Sequence, residues 1–368
     1  MTPRGIPHDR RRRRVVIHPL RDYAFRMRSA AGSTWRGSWG VAAAAALIAA
    51  AVGCAAPPSA VPAAVSSPTA SVGSTGDNPL SRRAFYVDPD TTAAEAATAA
   101  DPPISELSAI AAVPQARWIL SDAAPSDVAA EVSEYVQAAQ SVNRMPLLTL
   151  YAIPHRDCGG YAAGGLTTGE QYREWMTQVT VGLGEAPVGI VLEPDALNEV
   201  DCLSAQQREE RWDLLRAAVS TLTRDPNAAV YIDGGNSRWL EPSELASRLA
   251  AAGVHSARGF SLNTSNFFTT AEEIAYGEQV SALLGGAHYV IDTSRNGAGP
   301  APDQPLSWCN PPGRAVGSPP TTATAGAHAD AYLWVKHPGE SDGQCDRGDP
   351  EAGQFVVPFA TDLVRNGR

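Results

Sequence analysis

The chain has 368 residues, 44% of them hydrophobic, with 29 basic against 39 acidic side chains and a formal net charge of −10. Residues 1–53 hold ten of the arginines and two aspartates, which leaves 19 basic and 37 acidic residues in the remainder, a net charge of −18. So acidic a surface repels phosphate backbones, which excludes nucleic acid as an expected partner and favours an uncharged one.

In chain order, the first element is a leader. RRRRR at 10–14 and further arginines precede a 12-residue apolar run at 41–52, too short to span a bilayer, and then Gly53-Cys54. This reads as a signal peptide over 1–53, with AVGC as a bacterial lipobox and Cys54 as the lipidated first residue of the mature chain. Membrane contact is expected only through that anchor, with plain secretion as the alternative. A start at Met27 would leave a basic region of ordinary length. Residues 54–80, rich in Pro, Ala and Ser, read as a semi-extended tether, and 81–368 as one large domain.

Within that domain, short apolar runs alternate with amphipathic stretches. Candidate strands are AFYV at 84, RWIL at 117, PLLTLY at 146, GIVL at 189, AVYI at 229, GFSL at 259, HYVI at 288 and YLWV at 332. Val128, Val132, Tyr135, Val136 and Ala139 share one helical face; Trp212, Leu215, Val219 and Leu222 share another, behind a Ser204/Gln207 capping box. Repeated strand–helix alternation predicts a parallel sheet, most economically closed into a β/α barrel of seven or eight strands with its cleft at the strand C-terminal ends. The rival open doubly wound sheet usually carries a glycine-rich phosphate loop after its first strand, and YVDPD has none.

Four cysteines remain beyond Cys54. Their even number in an exported chain predicts two disulfides with three possible pairings, the most economical joining Cys158 to Cys202 and Cys309 to Cys345. No CxxC or HxxxH spacing points to a metal, so neither metal nor cofactor is expected.

Polar residues gather where strands end. GIVLEPDALN poses the sharpest question, because a buried run stops on Glu193 and Asp195 around Pro194, a residue with no N–H for a ladder. Arg156 and Asp157 follow LLTLY; Asp233, Asn263, Asp292 with Arg295, and Lys336 with Glu340 and Asp342 follow the later runs. Loop carboxylates are usually just solvated, but six strand ends aimed at one face predict a shared cleft. Trp175, Trp212 and Trp334 read as core. Trp239 and Trp308 lie in Gly/Pro-rich loops, where exposed indoles beside acids and amides suit the apolar face and hydroxyl rim of a sugar. Paired carboxylates without metal or activated nucleophile are equipment for splitting a glycosidic bond, one of them protonated near neutral pH.

YAIPHRDC, IVLEPDALN, YIDGGNSRW, GFSLNTSNF, YVIDTSRNG, SWCNPPGR and YLWVKHPGESDGQC follow, in order, motifs of glycoside hydrolase family 6, and the resemblance covers nearly all of the chain after the tether. It implies a distorted β/α barrel and inverting hydrolysis of internal β-1,4-glucosidic bonds of cellulose or related glucans; the chain is expected to act as a monomer. By position it implies Asp195 as general acid, Asp157 as the group that raises its pKa and polarises water, and Tyr151 as the residue pressing the sugar into a distorted ring. Asp342 matches the candidate base, held ionised by Arg295 and Lys336, with Arg156 in support. Trp118, Trp239 and Trp308 match stacking platforms, and Asp233, Asn236, Asn263 and Glu340 match cleft positions for glucosyl units. The two neighbour disulfides match as well. The chain departs from the family at His155, where Asp is usual, at Asn236, where His is usual, at His337, where Pro is common, and in GGYAAGG, which lacks a serine near the water. A non-catalytic glucan-binding surface lipoprotein is the alternative; a protease is disfavoured, because DTS at 292 stands alone in an α/β pattern.

Overall fold

A computed structural model describes residues 78–121 and 125–367; the expected leader, Cys54 and most of the tether lie outside them. Seven strands form one sheet: β1 (Arg117–Leu120), β2 (Leu147–Tyr151), β3 (Val188–Leu192), β4 (Ala228–Asp233), β5 (Gly259–Leu262), β6 (His288–Asp292) and β7 (Ala329–Leu333). They pair in sequence order and all in parallel, so that each connection must cross back to the start of the next strand. The crossover helices are α3 (Pro125–Ser141), α4 (Gly169–Leu183), α5 (Ala205–Leu222), α6 (Pro242–Ala251) and α7 (Thr270–Leu283). The Ser204/Gln207 box caps α5 as expected, and equivalent boxes cap α4 and α7. The result is the expected curled, distorted β/α barrel.

Alternation along the strands divides the core. Leu148, Leu150, Ile190, Leu192, Val230, Ile232 and Phe260 face the helices; Leu147, Val191, Ala229, Tyr231, Val290 and Leu333 face inward around Leu80 and Phe85. Val128, Val132, Tyr135, Val136 and Ala139 are all buried, as is Trp175, while Trp212 is only partly buried against the same core. The segment AFYV is not a strand. Phe85 makes one parallel bridge to Met145, through Met145 N–H to Ala84 O at 2.8 Å and Tyr86 N–H to Met145 O at 2.9 Å, and the pairing goes no further. The last strand lies earlier than its apolar run suggests: β7 ends at Leu333, and Trp334 turns away to pack with helices α1 (Thr92–Ala99), α2 (Ser105–Ala111) and α8 (Val357–Asn366).

No ladder joins β7 to β1. Three hydrogen bonds cross that seam instead: Ala116 N–H donates to Trp334 O at 3.0 Å, Trp118 Nε1–H to Val335 O at 2.8 Å, and His337 Nε2–H to Ala116 O at 2.7 Å.

Three strand-end carboxylates do structural work. Glu193, fully buried, accepts the N–H groups of Ala152 and Ile153 beyond β2 at 3.1 Å. Asp233, 1% exposed, accepts Asp195 N–H at 3.1 Å, Gly235 N–H at 3.0 Å and the Ser261 hydroxyl at 2.9 Å. Asp292, also 1% exposed, accepts N–H groups from Ser265, Ser294, Val335 and Lys336 at 2.9 to 3.2 Å. Each carboxylate fastens its own loop, a neighbour's loop or both where ladder pairing has run out. Asp292→Ala strands four backbone donors, those of Ser294 and Val335 buried and those of Ser265 and Lys336 partly buried, and should cost roughly 3 kcal/mol in denaturant unfolding, because an orphaned buried donor retains its desolvation penalty. A loss below about 1 kcal/mol, the range of an ordinary substitution, would show those bonds to be dispensable.

Candidate active site

The strand C-termini carry two charged groups of opposite character. The first surrounds the end of β3. Glu193 and Asp195 both take left-handed backbone conformations, φ 51° and 68°, on either side of Pro194. They serve different ends: Glu193 is locked onto backbone, while Asp195 is only half-buried and faces other acids. Burial, then the neighbouring Asp233, Glu199 and Asp157, push the Asp195 carboxyl well above the usual carboxylate range. Asp233, directly beneath, is raised to about 6, chiefly by burial, against the bonds it accepts.

Asp157 reaches this group from the loop after β2. Its carboxylate accepts Ala162 N–H and crowds Gly160, where an added Cβ would lie 2.8 Å from both oxygens; any larger residue there would displace the acid. Arg156 does not pair with an acid. Its guanidinium lies 4.1 Å from the Tyr151 ring centre and donates to Tyr151 O at 2.7 Å and Ala162 O at 2.9 Å, so it shapes the loop. Trp118 meets Tyr151 edge-on with centroids 5.3 Å apart. Burial, followed by the charges of Asp195 and Asp157, raises the Tyr151 phenol, which stays neutral.

The second group lies beyond β6 and β7. Burial alone would raise the Asp342 carboxyl, but Arg295 at 2.9 Å, Lys336 at 3.7 Å and Asn310 N–H at 3.0 Å outweigh it and hold the group below its usual range. Arg295 is itself buried and stacked on Phe267, so its charge is fixed in place. Glu340 likewise sits below its usual range: burial opposes ionisation, but His337 at 2.9 Å and Lys336 favour it.

Not every expected cleft residue reaches open space. Asn263 is fully buried, donating to Phe268 O and Asp292 O, and Asp233 is buried beneath Asp195; both support loops. Asn236 is 6% exposed and caps its own turn by accepting Arg238 N–H. Trp239 and Trp308 are 40% and 43% exposed, as an aromatic platform requires. Disulfides Cys158–Cys202 and Cys309–Cys345 have formed, each pinning loops from two strands beside the acids. Among the described residues, no cluster of His, Cys, Asp and Glu is suited to a metal, and no helix is long and apolar enough to cross a membrane.

Sequence reasoning missed three residues. Asn310 exchanges hydrogen bonds with Asp342, N–H to carboxylate at 3.0 Å and side-chain oxygen to Asp342 N–H at 2.7 Å; its signal was its place in SWCNPPGR. Arg211, on α5 and 2% exposed, ties Ala196 O to Pro154 O, both at 2.8 Å, joining the loops after β2 and β3; its helical position gave no signal. Glu199 abuts Asp157, and IVLEPDALN stops one residue short of it.

A parallel barrel whose C-terminal face sets a carboxyl kept neutral against another kept ionised has the parts that glycoside-cleaving proteins use. The sequence profile of glycosyl hydrolases family 6 matches residues 80–367, and the chain belongs to that family. It is 44% identical over 287 residues to endoglucanase A of Cellulomonas fimi, covering 77% of this chain, and 41% identical over 310 residues to endoglucanase A of Thermobispora bispora, covering 82%. The chain spans 61% and 66% of the lengths of those two relatives. The endoglucanase Cel6 from Mycobacterium tuberculosis, solved with a methyl cellobiosyl-4-deoxy-4-thio-β-D-cellobioside, superposes with a TM-score of 0.78 at 61% identity, covering 78% of this chain and 99% of that one.

His337 offers a pH test of the seam. Burial would lower its pKa, but Glu340 and the Ala116 carbonyl outweigh burial and raise it. A group raised in the folded state contributes stability that is fully present below its unfolded pKa, about 6.5, and is lost as pH rises through the folded value. The stability gap between wild type and His337→Ala should therefore narrow from mildly acidic to alkaline pH in paired thermal melts. A gap that widened would contradict a charged His337.

Proposed function

We propose that this protein hydrolyses internal β-1,4-glucosidic bonds of cellulose or a related β-glucan with inversion at the anomeric carbon. The observation that carries this reading is the split between two carboxyls, Asp195 raised by burial among acids and Asp342 lowered by Arg295 and Lys336. Asp195 then protonates the leaving oxygen as general acid. Asp342 is the candidate base, drawing a proton from the attacking water directly or through further water, with Asp157 polarising that water. Tyr151, neutral and wedged between Trp118 and Arg156, presses the sugar at the cleavage point out of its chair. Trp118, Trp239 and Trp308 stack glucosyl rings, Lys336 and Glu340 bind hydroxyls, and Asn236 shapes the turn that carries Trp239. Asp233 and Asn263 act from behind, through the loops they hold.

The relatives' endoglucanase names, and the oligosaccharide bound to the Mycobacterium tuberculosis protein, support a glucan substrate. The two disulfides fit an exported protein. We further propose that it works as a monomer, held at the membrane through Cys54 or secreted.

Asp195→Ala should lower kcat on a soluble β-1,4-glucan by roughly 10²- to 10⁴-fold while leaving cello-oligosaccharide binding intact. Unchanged turnover would remove Asp195 as the acid, and wild-type binding without new reducing ends would favour the non-catalytic alternative. Proton NMR of the first products should show the α-anomer. Activity should persist to low pH, because Asp342 stays ionised there, and should decline on the alkaline side as the coupled acids around Asp195 lose their protons.

A further inference from the structure

Glu199 is held against Asp157 by covalent geometry. Its N–H donates to Asp195 O at 3.1 Å, which places it one turn beyond the proposed acid. Three residues later the Cys202–Cys158 disulfide pulls this loop onto the one carrying Asp157, adjacent in sequence to Cys158. The Glu199 carboxyl faces both the backbone and the side chain of Asp157. The groups facing Glu199 are Asp157, Asp195, Tyr151 and the cation Arg211. Arg211 is committed elsewhere, donating to Ala196 O, Pro154 O and His155 O. Two abutting carboxyls without a dedicated cation hydrogen-bond only when one of them carries a proton.

Building on the hydrolase reading, we propose that Glu199 is a positioning residue of the cleft, its protonated carboxyl donating to the Asp157 carboxylate and fixing that anion beside Asp195. Burial first, and Asp157 second, push the Glu199 carboxyl up to about 8, so the proton stays on Glu199 across neutral pH. The pair then carries one negative charge rather than two. Asp157 is held from one side by Ala162 N–H and from the other by Glu199. Above that pH a second negative charge appears, Asp157 loses a donor and gains a repelling neighbour, and the water it orients is released.

The test compares the wild type with Glu199→Gln, Glu199→Ala and Asp157→Asn. In carboxyl ¹³C NMR with labelled glutamate, one resonance should titrate near 8 in the wild type, vanish in Glu199→Gln, and move down in Asp157→Asn. Titration of Glu199 near the ordinary value of about 4.3 would overturn the proposal. On a soluble glucan, Glu199→Ala should lower kcat by roughly 10- to 100-fold through misplacement of Asp157, with KM changed by less than about 3-fold. Glu199→Gln, which keeps a neutral donor, should retain most of kcat and shift the alkaline limb upward. Equal impairment of both variants with the wild-type pH profile would reduce Glu199 to a structural part and sink the proposal. Should Glu199→Ala fail to fold, the Gln variant and the titration still decide. A wild type inactive on every soluble glucan would defeat the hydrolase reading alone, since the NMR titration reads the shared proton without turnover.

Discussion

Carboxylates placed at the ends of parallel strands must be satisfied away from water, and this constraint shapes the whole C-terminal face. A buried carboxylate without donors is far too costly to keep ionised. Here Glu193, Asp233 and Asp292 meet the backbone N–H groups of their own and adjacent loops, which lie free because the ladders have ended. Acid and loop therefore stabilise each other. The acids left over, Asp157, Asp195, Glu199 and Asp342, stand on a frame that their buried counterparts have already fixed.

That frame divides the cleft electrically. Near β3 there are acids and almost no uncommitted cation, so protons are retained; near β7 a buried guanidinium and an ammonium drive protons off. Neither side chain type nor local sequence separates the two behaviours, since both groups are aspartates in polar loops. Distance to Arg295 and Lys336 separates them. The Cys158–Cys202 disulfide stands on the acidic side, joining the loops that carry Asp157 and Glu199, whereas Cys309–Cys345 joins loops that the Arg295–Asp342 pair already holds together.

The strand–helix alternation was legible because a two-residue period and a helical period differ plainly, and because parallel strands buried on both faces read as apolar runs. AFYV and YLWV were misplaced for one reason. An apolar run reports burial, whereas a strand needs a run of paired backbone groups, and neither segment finds them throughout: Phe85 bridges Met145 alone, and β7 ends at Leu333. In the site, the strand-end acids were legible as a set. Their roles were not: Asn263 and Asp233 look like any other cleft polar residue until their bonds to backbone are traced. Arg211 and Glu199 act from a helix and a loop tail, where no pattern marks them.

By itself, the sequence determined the fold class, the face on which chemistry sits, the disulfide count and the family, because these depend on periodicity, strand-end chemistry and ordered motifs. The tertiary structure decided which carboxyl keeps its proton, which of two acids around one proline faces the cleft, and how the barrel closes without a final ladder. Those outcomes depend on burial and on charges brought together from far along the chain, and a field falling with distance through a low-dielectric interior has no counterpart in residue order.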